Sequence, residues 1–587
     1  MISLYKKLIA WYLAPHLDMS IDAIADLIEI PPMEIDADFA FPCFTLAKTM
    51  KMAPAALATS IVGQLDSQTV GQWTSDDKPI LIFSAMWPYI NIHIATGDVV
   101  DKFFRCYEQY GPTLGTCLPK TKKILLEWRQ PNTHKAMHVG HLRNALVSES
   151  LSRIVEAAGY QLTRCSYMGD IGAHVAKWIR YYTRFDNSPI PETNASVRAG
   201  QIYVLATKKI EENPDSYKAE VHETQRLLES GDVVLNALRQ QTRTACLADM
   251  MAIYADMDCR IDQEYFESDV EQEGIALVKK FAEEKTCPYI YHSEWAIIAN
   301  LEEFWLWVFV LLKSNGTSLY STKDIALAYR KRRDFAFDES VYIVGAEQIH
   351  HFNQLFKTLE LIGFGDTNMK HIAYEMVELS SGKMSSRDGT VVLYQELRDQ
   401  VIAKADAIIR ERGQMTDESV IASQAKAIAF ASMHFGMLLQ DSYKKIIFDM
   451  ERATSFEGET GPYVQYSYAR CCALLRKAKE VDLTTDQSYS RDSHGIFLTE
   501  KDEKDLLLYL MQYGDTIERS ASEYRPHSVA RYALDLCHRL NNYYQNHHII
   551  DKDNFDRSRA RLLLIQTARD VLGHAMQLVC VPVVESM

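Results

Sequence analysis

The sequence predicts an α/β core built on a parallel sheet, with a helical insertion, an N-terminal α+β domain and a C-terminal all-helical domain. Three observations predict this arrangement. Strand and helix patterns alternate after residue 123, an acidic helical stretch interrupts them, and the chain is almost wholly helical after residue 400. A chain of 587 residues is too long for one hydrophobic core, so several domains are expected.

Changes of pattern set the expected domain boundaries. Residues 1–113 mix helical periodicity with β-rich pieces and end near the Gly/Pro/Thr-rich stretch "YGPTLGTCLPKTKK". The boundaries that follow are 114–185 for the first half of the core, 186–299 for the insertion, 300–395 for the second half of the core, 396–455 for a helical connector and 456–587 for the C-terminal helical domain.

The first half of the core has the pattern of one βαβ unit. "KILLEW" at 123–128 has the length of a strand, the apolar positions of 141–158 recur at helical spacing, and "QLTRCSYMGD" supplies the next strand. Such a unit implies a parallel sheet with a right-handed crossover. Ligands of these sheets bind beyond the carboxyl ends of the strands, where helix N-termini present free amides.

Composition excludes several classes of protein. With 47% hydrophobic and 24% charged residues, the chain has the composition of a globular protein. Its longest apolar run, residues 304–312, is far shorter than the ~20 residues that cross a bilayer, so no membrane association is expected. A net charge of −15 repels polyanions, so a nucleic acid must be bound by local basic patches.

Cysteine usage and the N-terminal segment indicate a cytoplasmic protein. The eleven cysteines are scattered, and the only close pair is the adjacent Cys471 and Cys472. Neighbouring positions cannot clasp a zinc ion as a pair with a two-residue gap can, so no zinc is expected. The N-terminal segment has helical periodicity without a signal-peptide cleavage site.

The stretch "PNTHKAMHVGH" at 131–141 lies between the first predicted strand and its helix. His138, Gly140 and His141 therefore fall at a helix N-terminus, which is an anion site. Gly140 would let a flat base or ribose approach the backbone, and the imidazoles would donate hydrogen bonds to phosphate. A metal site, which lacks an acidic or thiol partner nearby, and a chance cluster on a solvated loop are the alternatives.

A second motif, "ELSSGKMSSRDGTVVLY", occupies residues 378–394. It forms a flexible cationic loop suited to closing over a triphosphate, and the residues concerned are Lys383, Met384, Ser385, Ser386 and Arg387. Surface turns are often built from the same residue types, so the loop alone is a weak signal. Its conjunction with the histidine motif strengthens the nucleotide-binding interpretation.

"HVGH" followed by "KMSSR" resembles the paired signatures of class I aminoacyl-tRNA synthetases, which implies a Rossmann-type catalytic core. The stretches "QPNTHKAMHVGHLRNALVSESL", "GTSLYSTKDIALA", "YIVGAEQIHHF" and "SFEGETGPYVQYSYARCCALLRKA" resemble arginyl-tRNA synthetases more narrowly. The resemblance runs from about residue 120 to the end, and the first ~110 residues fit that family's extra domain. It implies an enzyme that activates arginine with ATP and transfers it to tRNA(Arg).

The resemblance also implies an arginine pocket. A guanidinium group has five N–H donors and calls for carboxylates in bidentate reach. The residues implied are Glu127, Asn132, His141, Tyr320, Asp324 and Gln348. Asp324 has the alternative of a simple helix N-terminal acid. Glu127 ends an apolar strand, where a charge without a partner is costly, so we expect the substrate cation to be that partner.

For ATP, the resemblance implies His138, Gly140, His141 and the loop residues 383–387. The loop departs from the class pattern, because Ser386 stands where a second lysine is usual. We expect Lys135, just before the histidine motif, to supply that charge, with an exposed loop lysine as the alternative. The expected catalytic set is His138, His141, Lys135 and Lys383. Mg²⁺ is expected with the pyrophosphate.

Three regions are candidates for contact with tRNA, and the protein is expected to be a monomer. The domain at 456–587 resembles an anticodon-binding domain, and its basic positions are Arg470, Arg476, Lys477, Lys479, Arg557, Arg559 and Arg561. The N-terminal domain is implied to meet the tRNA elbow, with Tyr89 and Asn91 as candidates. Residues 330–333 could touch the acceptor arm or form a solvated helix end.

Rival interpretations make different demands on the sequence. The nearest alternative is a cysteinyl or glutamyl synthetase. A cysteinyl enzyme would be expected to show zinc-ligand cysteines near its pocket. A small-molecule adenylyltransferase would not need the long helical C-terminal region. A catalytically inactive tRNA-binding paralogue would have lost His138, His141, Lys383 or the acidic pocket, and all of these residues are present.

Overall fold

The computed structural model describes residues 2–32, 35–69, 81–86, 88–212, 214–285, 287–379, 392–413, 416–483, 497–551 and 553–587. The fold is mixed α/β, with a five-stranded parallel sheet, a separate N-terminal sheet and a C-terminal part dominated by helices. Among the helices in these ranges, none combines the length and apolar character needed to span a bilayer.

The N-terminal unit packs helices on a three-stranded antiparallel sheet. Its elements are α1 (Ile2–Leu13), α2 (Ile21–Leu27), β1 (Phe39–Pro42), α3 (Phe44–Thr49), α4 (Pro54–Thr69), β2 (Leu81–Met86), β3 (Tyr89–Ile94) and α5 (Thr96–Tyr110). The strand order is β1-β3-β2. Ile92 of the central strand pairs with Phe39 on one side and Phe83 on the other, and all three are buried.

The central part of the chain holds the parallel sheet and its insertions. Its elements are β4 (Lys123–Glu127), α6 (Val139–Ala157), β5 (Gln161–Met168), α7 (Ala173–Tyr181), α8 (Ala195–Glu212), α9 (Pro214–Glu229), α10 (Val233–Asp256), β6 (Gln263–Phe266), α11 (Glu267–Glu284), β7 (Ile290–His292), β8 (Ala296–Asn300), β9 (Val308–Lys313), α12 (Tyr320–Asp334), β10 (Glu339–Gly345), α13 (Ile349–Leu359), β11 (Asn368–Tyr374) and β12 (Val377–Leu379).

The parallel sheet has the strand order β11-β10-β4-β5-β6. Strand β4 is central, so its apolar run Ile124, Leu125 and Leu126 is buried on both faces. The predicted strand–helix–strand unit is confirmed, since β4, α6 and β5 follow one another and β4 pairs with β5 in parallel. Glu127 therefore lies at the carboxyl edge of the sheet, beside the N-terminus of α6.

Two strands of this sheet, β6 and β11, were not identified from the sequence. Strand β6 lies inside the stretch 186–299 that was predicted as an insertion, yet it pairs with β5 at the edge of the parallel sheet. Four residues, "QEYF", are too few to show a strand period. A small antiparallel sheet, in the order β7-β8-β9, follows and crosses the predicted boundary at 299.

The described residues from 392 onward form helices and one short strand. These elements are α14 (Tyr394–Arg412), α15 (Glu418–Leu438), β13 (Ile446–Phe448), α16 (Met450–Ala453), α17 (Gly461–Glu480), α18 (Lys501–Met511), α19 (Tyr513–Glu523), α20 (His527–Asn546) and α21 (Phe555–Leu578). Strand β13 pairs with β12, which joins this part to the sheet region. The predicted helical character of the C-terminal region is confirmed.

Candidate active site

A cavity of about 450 Å³ opens at the carboxyl edge of the parallel sheet. Glu127 at the end of β4, Gly169 just after β5 and Gly345 at the end of β10 line it, and the N-terminus of α6 adds His138 and His141. The cavity also contains Asn132, Gly140, Tyr320, Asp324 and Gln348. Every candidate of the predicted arginine pocket therefore lines one cavity, together with the three residues of the histidine motif.

The two histidines cap helix α6 through their Nδ1 atoms. The backbone N–H of Gly140 donates to Nδ1 of His138 at 3.1 Å, and the backbone N–H of His138 donates to Nδ1 of His141 at 3.2 Å. An Nδ1 atom that accepts a hydrogen bond carries no proton, so the neutral rings carry it on Nε2. Both imidazoles can thus donate a hydrogen bond from Nε2.

Burial keeps both rings neutral. It lowers the pKa of His138 to about 4, with a smaller contribution from the Lys135 charge. Burial also lowers the pKa of His141 well below its ordinary value, and the neighbouring His138 adds to this. The ring centroids are 3.9 Å apart, so two positive charges here would repel strongly. Both rings are therefore neutral, with an Nε2–H group available to donate.

Gly140 is required by the packing of His138. A Cβ atom added at Gly140 would lie 2.9 Å from Cε1 of His138, closer than side chains approach one another. Any larger residue would therefore displace the capping ring. This gives Gly140 a role in addition to the predicted close approach of a ligand to the backbone.

Glu127 already has a buried cationic partner within the chain. Nζ of Lys331 donates to Oε2 of Glu127 at 2.7 Å, and the two side chains are 0% and 4% exposed. Burial raises the pKa of Glu127, and the Lys331 ammonium opposes that shift. The expectation that the substrate cation would be the partner of Glu127 is wrong in this respect, because Lys331 reaches the carboxylate from α12.

Asp324 is held by a histidine from the next helix. Oδ2 of Asp324 accepts a hydrogen bond from Nε2 of His351 at 2.7 Å, and both side chains are largely buried. Tyr320, one helical turn before Asp324, is 62% exposed at the rim of the cavity. Gln348 comes from the short turn that precedes α13. These positions leave the Asp324 carboxylate facing the same cavity as Glu127.

Asn132 lies where three cavities meet. Its backbone forms an isolated parallel bridge with Gly169, and a Cβ added at Gly169 would lie 2.2 Å from the Asn132 side-chain oxygen. The residue lines the 450 Å³ cavity, a second one of about 390 Å³ and a third of about 560 Å³. Asn132 therefore lies at the junction of these spaces.

Lys135 lines the second cavity together with His138 and His141. Its Nζ lies 4.8 Å from the ring centroid of Tyr203, a residue of α8. The predicted lysine is thus on the same side of the histidine pair as the 390 Å³ space, while Glu127 and Asp324 line the 450 Å³ space. Lys135 and the two carboxylates therefore line different cavities, and His138 and His141 line both.

The predicted triphosphate loop, with Lys383, Met384, Ser385, Ser386 and Arg387, lies outside the described residues. The chain on either side of it is described. Before the loop, β12 pairs with β13. After the loop, the backbone N–H of Val139 donates to the carbonyl of Val392, and that of Tyr394 donates to the carbonyl of Met137. The exit of the loop is therefore joined to the backbone of the histidine motif.

Several residues of the site were not identified from the sequence. Lys331 and His351 are two of them, and Glu267 at the start of α11 is a third. Glu267 accepts a hydrogen bond from Lys323, and burial raises its pKa to about 7. Recognition of β6 would have indicated Glu267, because the residue directly follows that strand at the carboxyl edge of the sheet.

Some candidates for tRNA contact are buried. Arg561 is 6% exposed and donates to Glu503, and Asn91 is 3% exposed, so neither can form part of a surface patch. Lys331, within the basic run at 330–333, is fully buried against Glu127. Arg470 lies between the rings of Tyr466 and Tyr544, with its guanidinium 4.7 and 5.0 Å from their centroids. The prediction that Arg561, Asn91 and Lys331 face solvent as tRNA-contact candidates is therefore wrong.

Comparisons with protein families agree along the chain. Residues 110–450 match the family described as tRNA synthetases class I (R), catalytic domain. Residues 464–587 match the DALR anticodon binding domain, and residues 3–94 match the arginyl tRNA synthetase N terminal domain. The matches follow the order of the N-terminal sheet unit, the parallel-sheet region and the C-terminal helices.

Individual relatives match over nearly the whole length. The chain is 31% identical to an arginine–tRNA ligase of Clostridium perfringens, covering 99% of this chain and 100% of the relative. It is 32% identical to one of Treponema denticola, covering 95% and 94%. The solved arginyl-tRNA synthetase of Thermus thermophilus has the same fold, with a TM-score of 0.76, 23% identity and coverage of 95% and 96%. The chain belongs to the arginyl-tRNA synthetase family of class I aminoacyl-tRNA synthetases.

Proposed function

We propose that the protein is an arginine–tRNA ligase that uses ATP to charge tRNA(Arg) with L-arginine. In the first step an oxygen of the arginine carboxylate attacks the α-phosphorus of ATP, and pyrophosphate leaves. In the second, a hydroxyl of the 3′-terminal ribose attacks the carbonyl carbon of the arginyl-adenylate, and AMP leaves. The observation that carries the proposal is the cavity that Glu127 and Asp324 share with His138 and His141.

The guanidinium group of arginine would bind at Glu127 and Asp324. Glu127 accepts a hydrogen bond from Lys331 and Asp324 accepts one from His351, and a carboxylate offers about four lone-pair sites. Acceptor capacity therefore remains for the planar fork of five N–H groups. Tyr320 and Gln348 line the same space and would add a wall and a polar contact.

The reacting end of arginine would lie between Asn132 and His141, which line both the 390 and the 450 Å³ cavities. There the Nε2–H groups of His138 and His141 would donate to phosphate oxygens as negative charge develops. Lys135, Lys383 and Arg387 would neutralise the triphosphate. Alignment and electrostatic stabilisation are sufficient for this displacement, so no covalent enzyme intermediate is needed.

The Mg²⁺ expected with ATP has no protein cage in the described part of the chain, where no group of three or more His, Cys, Asp or Glu side chains could hold a metal ion. Two of the carboxylates that line the site, Asp324 and Glu267, already accept hydrogen bonds from His351 and Lys323. We therefore propose that the ion is bound mainly by phosphate oxygens and water.

The other domains would bind the tRNA. The domain from about residue 456 would read the anticodon, and residues 1–113 would meet the elbow, with the connector at 396–455 between core and anticodon domain. The exposed side chains Arg531, Arg559 and Tyr544 give the C-terminal part both cations and a stacking surface. We further propose that the enzyme acts as a cytoplasmic monomer, which light scattering and cell fractionation would check.

Pyrophosphate exchange tests the proposal directly. ATP formation from labelled pyrophosphate is measured with each of the twenty amino acids, in the presence and absence of tRNA. We expect arginine alone to support exchange, and only when tRNA is present. Exchange driven by another amino acid would assign the chain a different substrate, and no exchange with any of them would indicate an inactive paralogue.

A further inference from the structure

Helix α8 of the inserted region packs closely against the core beside Lys135. A Cβ added at Gly200 would lie 2.8 Å from Cβ of Ala136 and 2.9 Å from its backbone nitrogen. Only a residue without a side chain allows the helix to lie this near. The position of α8 is therefore coupled directly to the backbone next to Lys135.

Tyr203 follows Gly200 by three residues, so both lie on one face of α8. The Nζ atoms of Lys135 and Lys177 lie 4.8 and 3.6 Å from the centroid of its ring. Lys177 also donates to the hydroxyl of Thr207 at 2.7 Å, one turn further along the helix. The ring thus lies within cation–π distance of two ammonium groups, one of which is anchored to the same helix.

We propose that Tyr203 is a positioning residue for Lys135. The ring attracts the ammonium group and holds it at the 390 Å³ cavity that Lys135 shares with His138 and His141. A lysine side chain on a loop has several rotatable bonds, and a fixed ring restricts where its charge can lie. The inference rests on the proposed role of Lys135 in ATP binding, and it adds that the inserted helix controls that role.

The test is a double-mutant cycle on the full-length protein, with tRNA-dependent pyrophosphate exchange as the readout. The variants are Lys135→Ala, Tyr203→Leu and the combination of both. We expect Tyr203→Leu to lower kcat/KM for ATP about threefold to tenfold, which corresponds to the loss of one cation–π contact, and to leave KM for arginine unchanged. In the Lys135→Ala background the same change should have no further effect.

Two further variants distinguish an effect of the Tyr203 ring from a general effect of changing helix α8. Tyr203→Phe keeps the aromatic face and is expected to recover most of the loss that Tyr203→Leu causes. Leu205→Ala, an exposed position on the same helix, is the matched control and should behave as wild type. If Tyr203→Leu does not fold, Gly200→Ala displaces the ring without removing it, and it should show the same dependence on Lys135.

The outcomes distinguish this inference from the function on which it rests. Equal losses from Tyr203→Leu in the wild-type and Lys135→Ala backgrounds would overturn the inference alone, because the ring would then act on packing. A Lys135→Ala protein with wild-type ATP kinetics would overturn both the role of Lys135 and the inference. A loss that depends on Lys135 and recovers with Tyr203→Phe would support it.

Discussion

Nζ of Lys331 lies 2.7 Å from Oε2 of Glu127, and this ion pair is shielded from water at the carboxyl edge of the parallel sheet. The ring of Tyr342, on the neighbouring strand β10, lies 3.9 Å from the same ammonium group. Glu127 is thus balanced before any substrate binds. Asp324, which lines the same cavity, has the imidazole of His351 rather than an ammonium group as its partner.

Replacing Lys331 by methionine would leave the Glu127 carboxylate buried without its cation. Loss of one partner of a buried pair typically costs about 3–5 kcal/mol of unfolding free energy. We expect a clear fall in the midpoint of thermal unfolding for Lys331→Met and a partial recovery for the double variant Glu127→Gln/Lys331→Met. Arg333→Met, on the exposed side of the same helix, is the control. A Lys331→Met protein as stable as wild type would contradict the pairing.

Local patterns in the sequence predicted the elements that carry the site. The buried run before Glu127 gave β4, and the helical spacing from His141 to Ala158 gave α6, because each signal is contained in a few consecutive residues. Lys331 is 204 positions from Glu127 along the chain, in a run of basic residues that resembles a solvated helix end. No local pattern distinguishes the one buried member of such a run.

The same reasoning explains Glu267 and His351. Glu267 follows β6, an edge strand too short to show a period, so nothing in the sequence marked it as a residue of the sheet edge. His351 is the second of two adjacent histidines, and only the fold brings it within 2.7 Å of Asp324. The family resemblance, in contrast, selected Asp324, Tyr320 and Gln348, which the structure brings to one cavity.

Changing Asp324 to asparagine tests its proposed contact with the guanidinium group. The variant keeps the shape of the side chain but removes the charge, and a hydrogen bond to a charged group contributes about 1.5–3 kcal/mol. We expect KM for arginine to rise about 10- to 100-fold, with KM for ATP within about twofold of wild type. Asp366→Asn, an exposed carboxylate paired with Arg332, is the control. Equal losses for both substrates would indicate a structural role for Asp324.

Gly140→Ala tests the packing of the capping histidine. The added methyl group would lie 2.9 Å from Cε1 of His138, so the ring must turn away and give up its hydrogen bond from the Gly140 backbone. Overpacking of this kind typically costs about 1–3 kcal/mol. We expect kcat/KM for ATP to fall about tenfold or more. Gly63→Ala, in a helix where a Cβ meets nothing within 4 Å, should have wild-type kinetics.

The protonation state of His138 predicts how the stability of the protein depends on pH. Burial lowers its pKa to about 4, and protonation of Nδ1 would also break the hydrogen bond that it accepts from Gly140. The unfolded chain, with an ordinary histidine pKa, binds more protons than the folded one between about pH 4 and 6.5. The contribution of His138 to stability is therefore full above pH 6.5 and decreases as the pH falls through this window.

The neutral state of His138 also predicts how the activity depends on pH. Because His138 stays neutral from pH 6 to 8, its Nε2–H remains a donor and should add no acid limb to kcat/KM for ATP in that range. Spectra of protein labelled at the histidine Cε1 carbons, assigned with His138→Asn, would check this. We expect the His138 signal to keep one position across the range and to show the Nε2–H tautomer. A titration midpoint between pH 6 and 7 would mean that the ring is not held as a neutral cap, and the role of His138 as a neutral donor to phosphate would then be excluded.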